Sequence, residues 1–449
     1  MVVNWLCIPT RSDRIRHSQY FGAKRPLVLM SYNIPSHDLS RQDKHNRTKI
    51  ALFGHFGAAN FGNESTLQAM LWHLHRCVPH AELTCICTAP ESVAADYGIA
   101  VVPMRVVVVK PWKLRNPLVR LIRNLVIGVP SEFYRWLKGI LTLRRTDVVI
   151  IPGTGLLTDA FSIAGWGPYS TFKWSVIAKV CRCQLFFVSI GAGPLQSAAG
   201  RLLVKSALSL ADFRSYRDES TLQYLKAIGF RTHADPVYPD LAFSLPPALL
   251  PTGQCRKARR LVVGLGLMEY VGMYGDEKTT KAHYSAYLET LVQFVNWLID
   301  REYDVRILIG DLMDVPVTRE FKARLRERSI AQAEDRVLTD SVASTEQLLS
   351  QLAETDFVVG TRFHNVLLAL LLNKPSIAIS FHQKCSSLMS EMGLSEYCQD
   401  INHLNAEILM DQFCQLEKNA ENLKSRISQK VADYGNALDK QYSLIFARL

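Results

Sequence analysis

The feature that most limits what this chain can fold into is a unit that recurs along it: a short apolar strand, a glycine turn, then a helix. It appears first as Lys49–Phe53, the turn from Gly54 through Gly57, Asn60, Gly62 and Asn63 to Glu64, and an apolar-periodic helix from Ser65 to Cys77. A second strand, Glu82–Cys87, ends at Pro90. Further on, Asp147–Ile151 runs into Pro152-Gly153-Thr154-Gly155, and Leu185–Ile190 runs into Gly191-Ala192-Gly193-Pro194. Strands alternating with helices fold as a parallel sheet covered by helices. One glycine turn after a strand is commonplace. Three of them at the carboxyl ends of strands in one sheet build a crevice.

The alternation then restarts. Leu261–Val263 reads as a strand with a turn at Gly264-Leu265-Gly266, followed by a helix over Tyr284–Arg301. Val305–Ile309 is a strand, Val317–Arg328 a helix, and Asp356–Gly360 the next strand. The fold class is therefore α/β, with two doubly wound halves. The expected boundaries are a polar, basic, mobile tail over 1–48, a first domain over 49–250 and a second over 251–405. An amphipathic helical segment over 406–449 is expected to pack back across one or both domains. Pro246 to Gln254 reads as the linker.

The turn after Gly360 concentrates the chemistry. Arg362 and His364 fall in or just before the first turn of the apolar helix that ends near Asn373-Lys374-Pro375. Unpaired backbone N–H groups and the helix dipole favour anions there. An Arg fork and an imidazole make that place a site for a carboxylate or phosphate, or else they merely cap a core helix. Lys384 leaves the next strand, Ser376–Ser380, at its carboxyl end. In the first half, Asn60 and Asn63 are either donors to a sugar or caps for the helix, and Asn63 is the expected cap. Arg217 either reaches into the cleft or pairs with Asp218 or Glu219.

Composition sets the limits. The 449 residues are 48% hydrophobic and 21% charged, enough for two globular cores. No apolar run approaches the roughly 20 residues of a membrane span. The N-terminus lacks a signal-peptide layout, so the cytoplasm is expected. Cys85, Cys87, Cys181 and Cys183 read as reduced core residues, and no Cys-x-x-Cys metal pattern occurs. Much of the net charge of +11 lies in a basic insertion over 105–145, where ten Lys and Arg face the single acid Glu132. Trp112, Phe133, Tyr134 and Trp136 sit among them. This suits either an anionic membrane surface or a solvated helical hairpin with its aromatics in the core. Nucleic acid is not expected, because no binding module accompanies the charge.

Several of these pieces, in this order, resemble the polysaccharide pyruvyl transferase family. They are Gly57 to Glu64, Pro152-Gly153-Thr154-Gly155 with Asp159, Gly191-Ala192-Gly193-Pro194, Arg217-Asp218-Glu219-Ser220, Tyr238-Pro239-Asp240, Thr361-Arg362-Phe363-His364 and Lys384. The chain departs from the family in having Asn63 where Asp is common, and Gly153-Thr154-Gly155 where a triple glycine is frequent. The resemblance implies two Rossmann-like domains facing a cleft, as in B-type glycosyltransferases. It also implies transfer of pyruvate from phosphoenolpyruvate, as a ketal, onto a sugar of an exopolysaccharide or cell-surface glycan or its lipid-linked precursor. Phosphoenolpyruvate would be a co-substrate, with no cofactor or metal. On that reading Arg362, Lys384, Arg217 and Thr361 hold the donor, and His364 with Arg362 is catalytic. Asn60, Asn63, Glu64, Gly153, Gly155, Asp159, Gly191 and Gly193 line the acceptor side. The enzyme would work in the cytoplasm, peripherally at the inner face of the membrane. The rivals are a nucleotide-sugar glycosyltransferase on the same architecture and a non-catalytic envelope-assembly scaffold.

Overall fold

The computed structural model describes residues 47–108, 116–153, 155–159, 166–232, 234–251, 260–269, 277–328 and 334–449. Nearly all of the tail 1–48 lies outside the described residues, as do Thr154, residues 252–254 of the linker, and Lys110, Trp112, Lys113 and Arg115 of the basic insertion.

One sheet comprises β1 (Lys49–Phe53), β2 (Glu82–Cys87), β3 (Ala100–Pro103), β4 (Val148–Pro152), β5 (Gln184–Ile190) and β6 (Phe213–Tyr216). The other comprises β7 (Val262–Gly266), β8 (Asp304–Leu308), β9 (Val337–Leu338), β10 (Phe357–Gly360), β11 (Ser376–Ser380) and β12 (Cys398–Asp400). All their pairings are parallel. The orders are β3-β2-β1-β4-β5-β6 and β12-β11-β10-β7-β8-β9. Counted from its own first strand, the second sheet repeats the order of the first. Winding reverses between β1 and β4 in one and between β7 and β10 in the other. In sheets of this kind ligands bind beyond the carboxyl ends of the strands at that reversal.

Both faces of the first sheet are buried, because apolar residues run without a break and alternate sides. Ile50, Leu52, Val148 and Ile150 join a core that continues into the second half. Ala51, Phe53, Val149 and Ile151 face the opposite layer. The carboxyl ends of the two sheets meet. The loop after β1 pairs with the loop after β8, with Phe61 N donating to Gly310 O at 3.2 Å and Leu312 N to Ala59 O at 3.3 Å. The helix Ala420–Phe446 returns from the second half to clamp the first. Its buried Gln441 donates to Ser189 Oγ at 2.9 Å and accepts from Ser215 Oγ at 2.6 Å.

Four expectations change. The first helix is Phe61–Cys77, four residues longer at its start, and Asn60 rather than Asn63 caps it. Gly264-Leu265-Gly266 does not turn: it continues β7, paired on both sides. The short strands β3, β9 and β12 and the helix Gln383–Glu391 extend the pattern beyond what was expected. In the basic insertion, Arg135 and Trp136 turn inward. Arg135 donates to Val106 O at 2.8 Å, and Trp136 Nε1 to Tyr169 Oη at 3.1 Å.

Candidate active site

Strand β10 ends at the reversal point of the second sheet, so the turn after it is aimed at the first sheet. Arg362 is the N-cap residue of the helix Phe363–Leu371. Its guanidinium grips Asp314 with two bonds, Nε to Oδ2 at 2.8 Å and Nη2 to Oδ1 at 2.6 Å. Burial opposes the charge on Arg362, but the bonds to Asp314 outweigh it and raise its pKa. Asp314 is fully buried and also accepts from Glu269 N at 2.9 Å. The fork expected to hold an anion is thus largely engaged, leaving Nη1 outside the pair. Thr361, expected on the donor side, is withdrawn from the cleft: it is fully buried and shares a hydrogen bond of 2.9 Å with Tyr287 Oη.

His364 crosses to the first half. Its ring lies over Gly62, where a Cβ would stand 1.9 Å from Nδ1. That close approach explains a glycine in the first turn of a helix. Nε2 lies 3.8 Å from Asp240 Oδ2, too far to bond, and has no hydrogen-bond partner although it is buried. Burial lowers its pKa to about 4; Asp240 pulls it up, while Lys384, Arg217 and Arg362 push it further down. The imidazole is therefore neutral at physiological pH, with one polar atom unsatisfied. Buried polar atoms in native folds are rarely left so.

Arg217 completes the constellation from the first half. Its Nε lies 3.3 Å from Asp218 Oδ2, its Nη1 3.4 Å from Asp240 Oδ2, and its guanidinium 4.8 Å from the Phe363 ring centre. Gly191 makes room for it, since a Cβ there would meet Nη2 at 2.5 Å. Of the two alternatives for Arg217, the pairing with Asp218 is present, and the same guanidinium also lies beside Asp240 and Phe363. Lys384 Nζ lies 5.6 Å from the same Phe363 ring and 5.4 Å from Phe381. Among the described residues no carboxylate forms an ion pair with it. Burial, then Arg217, lowers its pKa to about 8. Arg217 is balanced by Asp218 and Asp240, and Arg362 by Asp314. Lys384 is the cation left over, and an anion bound beside it would restore its full charge.

The expected acceptor loops are tied down by their own bonds. Asn60 Oδ1 accepts from Asn63 N at 3.1 Å, and Asn60 Nδ2 donates to Asp311 Oδ2 at 2.8 Å across the cleft. Glu64 Oε1 accepts from Gly57 N at 2.7 Å, closing the first glycine loop. Asp159 accepts from Gln196 N, Ser197 N and Ser197 Oγ at 2.7, 2.9 and 2.6 Å. Gly153 packs against the backbone of Ser189, and Gly193, at φ 90°, against the ring of Tyr224. Gly155 is exposed, with open space beside it. Among the described residues no group of three His, Cys, Asp or Glu is placed to hold a metal ion.

Sequence reasoning missed Asp240, Asp311, Asp314 and His382. Asp240 stood in Tyr238-Pro239-Asp240, and an acid set between Tyr238 and the apolar Leu241-Ala242-Phe243 was a usable signal. His382 directly precedes the helix carrying Lys384 and accepts from Lys384 N at 3.1 Å. Burial holds His55, His73, His364 and His382 all at about 4, against an ordinary 6.5. Between those values the unfolded chain binds the extra protons and the folded chain does not. The melting temperature should therefore be highest above pH 6.5, fall as the pH drops toward 4, and stop responding to these groups below that. Calorimetric melts across this range check it; a flat profile would place these histidines in water.

Two sheets of Rossmann order with opposed carboxyl ends define the architecture of B-type glycosyltransferases and their epimerase relatives. A putative UDP-N-acetylglucosamine 2-epimerase from Listeria monocytogenes has a similar structure, with a TM-score of 0.58 at 11% identity over 90% of this chain and 96% of that one. S. aureus MnaA with UDP gives 0.55 at 14% identity, over 86% and 92% of the two chains. At such identities the likeness is one of fold. In sequence, residues 60–383 match the family Polysaccharide pyruvyl transferase, and the chain belongs to that family. The Amylovoran biosynthesis protein AmsJ of Erwinia amylovora is 21% identical over 299 residues, covering 64% of this chain and 70% of AmsJ.

Proposed function

We propose that the cleft transfers pyruvate from phosphoenolpyruvate to two hydroxyls of one sugar in a polysaccharide or its lipid-linked precursor, forming a ketal and releasing phosphate. The observation that carries this reading is the half-buried cluster of Arg217, Arg362 and Lys384 around a neutral His364 whose Nε2 has no partner. Phosphoenolpyruvate brings a carboxylate and a phosphate on adjacent atoms, and Lys384 supplies the cation not already balanced. The reading requires no further cofactor. In the net reaction the donor methylene gains a proton and becomes methyl. Two sugar oxygens bond to the former enol carbon, and its bond to the phosphate oxygen breaks. One hydroxyl proton is accounted for on the methyl group and the other on the departing phosphate. His364, neutral and able to accept at Nε2, takes a hydroxyl proton in this scheme. Phosphoenolpyruvate is made inside cells, which places the reaction in the cytoplasm.

Calorimetric titration with phosphoenolpyruvate, and separately with UDP-sugars, tests the donor. Phosphoenolpyruvate should bind, and Lys384→Ala should weaken it about ten- to a hundredfold, the weight of one or two charge-assisted hydrogen bonds. Because Lys384 titrates near 8 in the free protein, affinity should be full below that pH and decline above it. Lys384→Arg should flatten the decline. Saturable binding of a UDP-sugar with none of phosphoenolpyruvate would replace this reading with sugar transfer.

A further inference from the structure

The basic insertion has a second face. Helix Pro117–Arg123 continues through a π-helical turn, Asn124–Gly128, into helix Val129–Leu143. The inner side of the last segment is Ser131, Arg135, Gly139 and Leu143, all buried, with Gly139 lying against Ile177 and Trp174. Positions two residues away lie on the opposite side of a helix, about 200° round. There stand Val129, Phe133, Leu137 and Leu141, and the apolar row continues back through Val126, Leu125 and Ile122. Phe133 is 72% exposed and Val126 66% exposed. Soluble monomers rarely expose a continuous apolar row of this length.

The charges say what covers it. Lys138, Arg144 and Arg145 are exposed on this segment. Glu132, the one acid between 105 and 145, is consumed on the inner side by Arg135 at 2.8 Å, Lys173 at 3.1 Å and Tyr169 at 2.7 Å. The outer face is therefore apolar and cationic without a carboxylate. A second copy of the same face would oppose like charges. A soluble acidic glycan would leave the apolar row in water. Among the described residues no helix is long and apolar enough to cross a membrane, so the helix would lie along the surface.

We propose that the outer face of residues 117–143 is an interfacial anchor: Leu125, Val126, Val129 and Phe133 insert into an anionic leaflet, and the Lys and Arg beside them meet lipid phosphates. The anchor brings the cleft to lipid-linked acceptors, deepening the pyruvyl transferase reading, yet it is testable without any substrate. Flotation of the full chain with phosphatidylcholine vesicles, with and without phosphatidylglycerol, is the experiment. The protein should float with the anionic vesicles only, and less so in high salt. Leu125→Ser with Phe133→Ser should weaken this about tenfold or more, since each loses a buried apolar side chain, with an unchanged melting temperature. Lys138→Gln with Arg144→Gln and Arg145→Gln should weaken it while sparing phosphoenolpyruvate binding. Three results would overturn the proposal: equal flotation with neutral vesicles, none with either, or a dimer of the wild type that the double Ser variant dissolves. Loss of vesicle binding with donor binding intact leaves the catalytic reading standing, and the reverse leaves the anchor standing.

Discussion

His364→Ala lowers turnover about 10²–10⁴-fold, the usual share of one acid–base group, while phosphoenolpyruvate binding stays within a few-fold of wild type. The expectation rests on geometry. Nε2 makes no hydrogen bond that its removal would break, and the ring is neutral, so deleting it removes no charge from the donor's surroundings. The cations that would hold the donor are anchored elsewhere, Arg217 on Asp218 and Asp240 and Arg362 on Asp314. His364→Gln keeps bulk and a hydrogen-bonding head but cannot take up a proton, and should be as inactive as Ala. The readout is pyruvyl content of the cell's glycan, by mass spectrometry, with the variant as sole copy, together with calorimetry on the purified protein. Should both variants melt far below wild type, the imidazole is a packing group spanning the two halves. Normal pyruvylation in His364→Gln would remove proton transfer from its role.

The doubly wound halves were legible because each central strand is an unbroken apolar run with polar or glycine punctuation. β1 and β11 fall where the sequence put them, at Lys49–Phe53 and Ser376–Ser380. The edge strands β9 and β12, two and three residues long, carry no such run. The early start of the first helix was hidden for a tertiary reason. Gly62 and Asn63 read locally as turn formers, whereas the glycine is there for the ring of His364, which arrives from the other half. The candidate site divides the same way. Arg362, His364 and Lys384 announce themselves by their place after a strand. Their partners do not: Asp314 lies 48 residues before Arg362, and no spacing rule links a fork to a carboxylate across two helices and two strands. Arg217 shows both cases, adjacent to Asp218 but 23 residues from Asp240.

The engagement of Arg362 with Asp314 also changes what its replacement should do. Arg362→Ala strands a carboxylate that has no exposure to water, and breaking such a buried pair costs about 3–5 kcal/mol. Against a typical total of about 5–15 kcal/mol, the variant should melt early and is a poor probe of the donor site. Arg362→Lys keeps the charge but loses the planar two-point grip, so it should fall between Ala and wild type. Replacing both partners, Arg362→Met with Asp314→Leu, removes the stranded charge and should recover much of the lost stability. That double variant isolates the functional question. If Nη1 of Arg362 also meets the donor, the well-folded double variant should bind phosphoenolpyruvate about ten- to a hundredfold more weakly than wild type. Chemical denaturation and calorimetry on the same four proteins give both numbers. Wild-type affinity in the double variant would make Arg362 a structural residue and leave Lys384 and Arg217 as the donor's cations. Failure of the double variant to regain stability would instead mean that Asp314 is held chiefly by its bond from Glu269 N.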